Sequence, residues 1–145
     1  MDNTIYIYTD GACRGNPGKG GWGTLLVYQK SKKELYGFSA ETTNNIMELT
    51  AVIESLKSIK RKYPLIITTD SSYVKDGITD WIQSWKKNNW KTTSKKPVKN
   101  KKLWIELDGL CKLYDIEWKW VKGHSGHPGN ERADALANKA IDENL

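Results

Sequence analysis

The sequence predicts an α/β fold, with helices flanking a five-stranded mixed sheet. Near the N-terminus, three runs rich in β-branched and aromatic residues are separated by turn residues alone, which favours an antiparallel meander. Further along, helical apolar spacing alternates with strand-like runs, which favours parallel strands. The predicted strands are 4–10, 22–29, 33–40, 65–69 and 115–121.

A glycine-rich turn is predicted over residues 11–21, between the first two strands. Within it and just beyond, Gly18 to Gly23 match the dinucleotide spacing G-x-G-x-x-G. That fingerprint must open a helix, whereas residues 24–28 form a strand-like run. We therefore expect these glycines to make a tight turn and to permit close backbone approach.

Helices are predicted wherever apolar residues recur at three- and four-residue steps. The first spans 43–60, with Thr42 or Thr43 as its cap. Ser71 and Ser72 open a short helix that ends near Gly77. The later helices are predicted at 79–88, 101–113 and 130–142, the last capped by Asn130.

The composition indicates a single domain over residues 1–145 with an ordinary soluble balance, 38% hydrophobic and 28% charged. We expect no membrane span and no signal peptide. Cys13 and Cys111 are too few for a disulfide framework and form no Cys-x-x-Cys pair. The protein is therefore expected to be cytoplasmic and without a zinc site.

The net charge of +6 comes from one segment of the chain. Eight lysines and no acid lie between Lys86 and Lys102, and without them the net charge would be −2. Such a cluster is either a solvated loop or a surface for a polyanion. Interleaved aromatic rings favour a sugar-phosphate strand; they are Trp81, Trp85, Trp90 and Trp104.

Two predicted strands end in the same dipeptide, Thr-Asp, at Asp10 and Asp70. The carboxyl ends of neighbouring strands are where α/β sheets usually place active sites. Two adjacent carboxylates repel unless a cation or a shared proton lies between them. The sequence therefore predicts a divalent-metal site.

Further candidates lie at two helix starts. Asn44, Asn45 and Glu48 share one side of the first long helix, where a lone glutamate is usually a surface residue favoured by the helix dipole. Asp134, one turn into the last helix, could reach a metal or could be a similar first-turn acid. Asparagine amides suit base edges and 2′-hydroxyls.

The loop before the last helix contains His124 and His127. A loop histidine can move protons near neutral pH, although a lone one is more often incidental. His127, beside Pro128, is expected to be structural, and His124 to be the freer of the two.

Four motifs in order and spacing resemble type 1, bacterial ribonuclease H over residues 4–141. They are Thr9-Asp10-Gly11 with Gly15-Asn16-Pro17-Gly18, Thr43-Asn44-Asn45 with Met47-Glu48, Thr69-Asp70-Ser71, and Gly123-His124 through Asn130-Glu131-Arg132 to Asp134. The resemblance implies the ribonuclease H-like fold and cleavage of the RNA strand of RNA–DNA hybrids.

The resemblance also implies residue roles. Asp10, Glu48, Asp70 and Asp134 would hold two Mg²⁺ (or Mn²⁺) ions, consistent with the preference of these ions for oxygen ligands. His124 would move protons or assist product release. Cys13, Asn16, Asn44 and Asn45 would line the groove that reads the RNA strand.

The DNA strand would be held by a basic protrusion at about 81–102, with Trp81, Trp85, Lys86, Lys87, Trp90 and Lys99. Thr43 and Asn100 would contribute to a DNA-phosphate pocket. Two positions depart from the family pattern: Glu41 replaces a basic residue of that pocket, and Ser72 replaces a substrate-contacting glutamine. An acid at position 41 is expected to weaken phosphate binding.

Two other interpretations of the sequence are open. One is a nucleic-acid-binding module with an inactive metal site, which the complete set of four carboxylates and His124 disfavours. The other is a nuclease of the same fold acting on structured DNA, such as a junction resolvase, which the His124 loop and the lysine segment disfavour. The expected partner is an RNA–DNA hybrid, with no membrane, and we expect a monomer.

Overall fold

The computed structural model of the 145-residue chain describes residues 2–123 and 126–145. Its five strands form one sheet in the order β3-β2-β1-β4-β5. The strands are β1 (Ile5–Arg14), β2 (Gly18–Tyr28), β3 (Ser31–Thr42), β4 (Leu65–Thr69) and β5 (Ile116–Trp120).

β1 is the central strand and joins the two halves of the sheet. It pairs antiparallel with β2 and parallel with β4, and β5 extends the sheet in parallel with β4. Thr9 lies opposite Thr69 in this register. Asp10 and Asp70, the next residues along, therefore lie side by side just beyond the paired part of β1 and β4. The predicted five-stranded mixed sheet is confirmed.

Helices cover both faces of the sheet. On one face α1 packs on β1, β2 and α4, around Leu49, Val52 and Leu107. On the other, α5 packs on β1, β2 and β3 through Ala133 and Leu136. The helices are α1 (Asn44–Ser58), α2 (Ser72–Asp76), α3 (Ile82–Lys87), α4 (Lys101–Cys111) and α5 (Pro128–Asp142). In the part of the chain described, none is long and apolar enough to cross a membrane.

The predicted glycine-rich turn over 11–21 is wrong. β1 and β2 run through most of it, leaving a short turn at 15–17. Gly15 takes a positive φ in that turn, and the expected close backbone approach is confirmed at other glycines of the region. A Cβ on Gly11 would lie 2.5 Å from the backbone nitrogen of Glu48 in α1, and one on Gly23 would lie 2.5 Å from the carbonyl oxygen of Ala133 in α5.

α2 ends at Asp76, so the predicted end of the short helix near Gly77 is confirmed, but Gly77 does not break the helical path. Its backbone is right-handed helical, and a π-helical segment over Gly77–Trp81 joins α2 to α3 without a break. The indole of Trp104 occupies the space that a side chain at position 77 would need. The glycine is therefore explained by packing, and Trp104 is a fully buried core residue.

α5 begins two residues earlier than predicted, at Pro128, and its cap is His127 rather than Asn130. The Asn130 backbone nitrogen donates to His127 Nδ1 at 3.3 Å. Proline is favoured in the first turn because it needs no hydrogen-bond partner there and has a helical φ. The expected structural role of His127 is confirmed, as is Thr43 as the cap of α1, where its Oγ1 accepts from Ile46 N at 3.2 Å.

Replacing Gly23 with alanine should destabilise the protein by about 1–3 kcal/mol or more, because the new methyl group would force α5 away from β2. The matched control is Gly109→Ala in α4, where a Cβ would have no neighbour within 4 Å. That change should stabilise by about 0.5–1 kcal/mol through helix propensity. Urea unfolding of both variants measures the difference, and equal effects would contradict the packing role of Gly23.

Candidate metal and nucleic-acid site

Three carboxylates meet where the pairing of the interior strands β1 and β4 ends. Asp10 at the carboxyl half of β1, Glu48 in the first turns of α1 and Asp70 just after β4 each offer an oxygen, and these oxygens lie within 4.8 Å of one another. Asp10 and Glu48 are each only 4% exposed. The structure thus brings together three of the four predicted metal ligands.

Gly11 explains how Glu48 reaches this cluster. The absence of a side chain at position 11 lets the backbone of α1 at residues 47 and 48 touch β1. The Gly11 backbone nitrogen also donates to Asp10 Oδ1 at 2.9 Å, which orients that carboxylate. A glycine directly after an acidic strand end was the available sequence signal for this role.

Burial and mutual repulsion favour the protonated forms of the cluster. Desolvation, and then the charge of Asp70, raise the pKa of Asp10 to about 8. Burial, followed by the charges of Asp10 and Asp70, raises the pKa of Glu48 well above its usual value. The ionised form of the cluster is therefore unfavourable unless a bound cation compensates its charge.

These carboxylates fit a divalent metal ion. Glu48 Oε2 is buried without a hydrogen-bond partner in the described chain, so one oxygen lone pair remains available inside the cluster. Carboxylate oxygens are hard ligands, suited to Mg²⁺ or Mn²⁺ rather than to zinc. The donor set and the unpaired oxygen together indicate a site for a hard divalent cation.

Asp134 lies beside this cluster but outside its tightest group. It is half-buried on α5 and contributes to the raised pKa of Asp10 after the effects of burial and Asp70. Asn138, one turn further along α5, donates to the Asp134 backbone oxygen at 3.0 Å and to its Oδ1 at 3.4 Å. The i, i+4 spacing of Asn138 could have revealed this partner.

The turn after β4 is held by β5, which sequence reasoning missed. Trp120 Nε1 donates to the Asp70 backbone oxygen at 3.1 Å. A Cβ on Gly123 would lie 3.0 Å from Asp70 Oδ2, so Gly123 leaves room for that carboxylate. The 50-residue separation between Trp120 and Asp70 left no local signal for the contact. His124, the predicted catalytic histidine, lies outside the described residues.

The residues predicted for the RNA strand flank the cluster. Asn16 Oδ1 accepts a 3.0 Å hydrogen bond from the backbone nitrogen of Asn44, which ties the β1–β2 turn to the start of α1. Cys13 Sγ lies 2.7 Å from the Gly15 carbonyl oxygen. Asn45 is half-buried beside them. The structure thus places these residues on neighbouring elements, and their contact with RNA remains a prediction.

The tryptophans of the basic segment pack against one another. The ring of Trp85 lies 5.8 Å from that of Trp81, 6.2 Å from Trp90 and 5.3 Å from the buried Trp104. Part of their aromatic surface therefore stabilises the protrusion itself. Trp81 remains 38% exposed and available for contact with a ligand.

Two other residues that are predicted to contact the DNA strand already bind side chains of the protein itself. Lys86 Nζ pairs with Asp108 Oδ1 at 2.8 Å, so its charge is partly neutralised. Asn100 Nδ2 donates to the Tyr73 hydroxyl at 3.1 Å. Lys87 and Lys99, by contrast, are exposed and form no ion pair within the part of the chain described.

Comparison with known proteins points to one family. The sequence matches the family model described as RNase H over residues 2–142. Ribonuclease HI of Neisseria meningitidis serogroup B is 62% identical over 139 residues, covering 96% of both chains. Ribonuclease H of Alcanivorax borkumensis is 62% identical over 143 residues, covering 99% of this chain and 94% of the relative.

Solved structures agree with this assignment. LC9-RNase H1, described as a type 1 RNase H with the type 2 active-site motif, is similar with a TM-score of 0.88 and 32% identity over 100% of this chain and 75% of that one. LC11-RNase H1, solved in complex with RNA/DNA hybrid, is similar with a TM-score of 0.72 and 25% identity over 97% and 99% of the two chains.

Asp10→Asn should stabilise the metal-free protein at neutral pH by about 1–3 kcal/mol, because it removes a buried carboxyl from a repelling cluster. The pKa of Asp10 is about 8 in the folded chain, against an ordinary value of 3.8. Its protonated form therefore contributes stability that is complete below the ordinary pKa and is lost as pH rises through about 8.

The parent should consequently lose more stability than Asp10→Asn between pH 4 and 8 in the presence of a chelator. Urea unfolding across this range measures the two slopes. Asp115→Asn, at an exposed position, is the matched control and should follow the parent. Equal pH slopes for parent and Asp10→Asn would contradict the clustering of the carboxyl groups.

Proposed function

Since this chain belongs to the ribonuclease H family, in its type 1 bacterial form, we propose that it is an endonuclease that hydrolyses the RNA strand of RNA–DNA hybrids. The observation that carries the proposal is the buried carboxylate cluster formed by Asp10 in β1, Glu48 in α1 and Asp70 directly after β4. A binding module would have no use for a cluster that raises the energy of the free protein. The hybrid bound to the related LC11-RNase H1 supports the substrate class.

Asp10, Glu48, Asp70 and Asp134 would hold two Mg²⁺ ions, with Mn²⁺ as an alternative. When bound, such a pair supplies charge stabilisation for an in-line displacement at phosphorus and a water of lowered pKa. The chain contributes rigid placement. β1 and β4 fix the two aspartates, Gly11 admits Glu48, and Asn138 orients Asp134. Burial of Asp10 and Glu48 lowers the local dielectric, which strengthens attraction to a cation.

The RNA strand would be recognised by Cys13, Asn16, Asn44 and Asn45, beside the cluster. Asparagine amides both donate and accept hydrogen bonds, which suits the 2′-hydroxyls and minor-groove edges of an A-like duplex. The hydrogen bond between Asn16 and Asn44 fixes these two residues relative to α1, the helix that carries Glu48. The start of α1 would then both hold residues that recognise the RNA strand and position the proposed catalytic carboxylate of Glu48.

The DNA strand would be held by the protrusion at about 81–102 and by Thr43 with Asn100. Trp81, Trp85 and Trp90 would supply stacking surface, and Lys87 and Lys99 would supply charge that no carboxylate of the described chain neutralises. Lys86 would contribute less, because Asp108 already pairs with it. Glu41 is exposed two residues before Thr43 and would weaken phosphate binding there.

We further propose that residues 1–145 act as one catalytic domain, as a monomer in the cytoplasm. The family match over 2–142 and the single sheet shared by all five strands support one domain. Both cysteines are free thiols, as expected in a reducing compartment.

Asp70→Asn should abolish Mg²⁺-dependent cleavage of a labelled RNA–DNA hybrid while retaining hybrid binding, because it removes a metal ligand without disturbing the recognition surfaces. Asp115→Asn, exposed and remote, is the matched control and should cleave like the parent. The same assay on plain double-stranded DNA should show no cutting, since the proposed contacts need 2′-hydroxyls. Full activity of Asp70→Asn would refute the site, and equal cutting of DNA would refute the substrate.

Replacing Lys87, Lys95 and Lys99 with alanine should weaken hybrid binding without impairing Mg²⁺ binding. Removing one phosphate contact should reduce the slope of log affinity against log salt by about 0.9. The control triple variant Lys30, Lys33 and Lys60→Ala removes the same charge at the opposite end of the sheet. An unchanged slope in the first variant, or equal changes in both, would show that the basic segment is a solvated surface.

His124→Ala should slow turnover by about 10²–10⁴-fold, the usual contribution of a proton-transferring imidazole. His127→Ala should act mainly through stability, because His127 caps α5. Steady-state rates and thermal melts at saturating Mg²⁺ separate the two effects. A parent-like rate for His124→Ala together with a strongly reduced rate for a folded His127→Ala would reverse the assignment of the two histidines.

A further inference from the structure

Arg14 is the last residue of β1, and its guanidinium reaches across to α5. Its Nη1 lies 2.7 Å from Asp142 Oδ1, and its Nη2 donates to Asn138 Oδ1 at 3.3 Å. Because alternate residues of a strand share a face, Arg14 and Asp10 both lie on the α5 side of β1, about 13 Å apart along the strand. The strand that carries Asp10 is thus tied to the last helix beyond the carboxylate cluster.

Asn138 links Arg14 to Asp134, the fourth proposed metal ligand. Its Nδ2 donates to the Asp134 backbone oxygen at 3.0 Å and to the carboxylate Oδ1 at 3.4 Å. The two residues are four apart on α5, so they lie on the same side of the helix. Asn138 is half-buried, and its amide oxygen faces Arg14 while its amide nitrogen faces Asp134.

The chemistry of the three groups permits only one orientation of the Asn138 amide. A guanidinium only donates hydrogen bonds, and an ionised carboxylate only accepts them. The amide oxygen must therefore face Arg14, and the amide nitrogen must face Asp134. In the reversed orientation, the amide oxygen would lie against the carboxylate and repel it. Arg14 thus determines which end of Asn138 the Asp134 carboxylate meets.

We propose that Arg14 is a positioning residue for metal binding, which acts on Asp134 through Asn138. The inference rests on the proposed role of Asp134 as a metal ligand. Asp134 lies outside the tightest group of carboxylates and comes from a helix on the opposite face from Glu48, so its orientation depends on neighbouring side chains. Groups that orient a metal ligand typically change metal affinity by about 10–100-fold when they are removed.

Two simpler roles for Arg14 predict different effects. As an exposed ion pair with Asp142, Arg14 would contribute little to stability and nothing to metal affinity. As an isolated positive charge, Arg14 would oppose a cation at the cluster, so its removal would strengthen metal binding. The positioning role predicts the opposite sign, because loss of Arg14 releases the Asn138 amide and lets its oxygen turn toward Asp134.

The test follows the amide NMR shifts of Gly11 and Asp70 while Mg²⁺ is added to the full-length protein without hybrid. Arg14→Met should weaken Mg²⁺ binding by at least about threefold, and Asn138→Leu by about tenfold. The double variant should bind Mg²⁺ no more weakly than Asn138→Leu alone, since Arg14 acts only through Asn138.

Lys19→Met is the matched control, because Lys19 is exposed, lies opposite Arg14 in β2 and carries the same charge. Exposed charges are screened by salt, so its Mg²⁺ affinity should stay within about twofold of the parent. A second measurement needs no metal. The NMR signals of the Asn138 side-chain amide should shift in Arg14→Met and in Asp134→Asn, and should keep their positions in Lys19→Met.

Several outcomes would overturn the proposal. They are parent-like or tighter Mg²⁺ binding by Arg14→Met, further weakening in the double variant, or equal weakening in Lys19→Met. Unchanged Mg²⁺ affinity together with a salt slope of hybrid binding reduced by about 0.9 would instead assign Arg14 to a phosphate of the hybrid. Hybrid cleavage is measured separately. If the variants change Mg²⁺ affinity as expected but the parent cuts no hybrid, the proposed function fails and the positioning role of Arg14 stands.

Discussion

The close packing of three carboxyl groups, where the pairing of β1 with β4 ends, is the constraint on which the rest of the structure depends. Their oxygens lie within 4.8 Å of one another, and two of the three side chains are almost completely buried. Repulsion and desolvation oppose this arrangement, as the raised pKa values of Asp10 and Glu48 show. It persists because Asp10 belongs to the central strand, paired on both sides, and because α1 is held against that strand by the main apolar core.

Glycines make this arrangement possible from both faces of the sheet. Gly11 accepts α1 on one face, while Gly21 and Gly23 accept α5 on the other. The two helices carry Glu48 and Asp134, so these two proposed metal ligands approach the site from opposite faces of the sheet. The glycines of β1 and β2 therefore determine where the side chains of Glu48 and Asp134 lie. For that reason, substitutions of the β2 glycines would alter the site, although β2 contributes no side chain to it.

Much of this architecture could be predicted from the sequence, because the strands are rich in β-branched residues and α1 and α5 have regular apolar spacing. The Thr-Asp strand ends predicted the meeting of Asp10 with Asp70, and the resemblance to ribonuclease H supplied Glu48 and Asp134. The errors share a cause in tertiary packing. The glycines of 11–21 have the composition of a turn, but most of them pack against α1 and α5, and the helical path continues past Gly77 because the indole of Trp104 fills the space beside it. The contact of Trp120 with Asp70 spans 50 residues and has no local pattern.

The proposed substrate and the carboxylate cluster are both negatively charged, so cations are needed to bring them together. The hybrid is a polyanion, and the carboxylate cluster alone would repel it. A divalent cation in the cluster would reverse that local charge. The unpaired lysines of the basic segment would attract the hybrid whether or not the cation is bound. Binding of hybrid and of metal should therefore reinforce each other, since the cation removes the repulsion that the hybrid meets and the phosphates of the hybrid add to the attraction that the cation meets. The raised pKa values of Asp10 and Glu48 add protons as competitors for the same oxygens, which places metal, proton and substrate in one linked equilibrium.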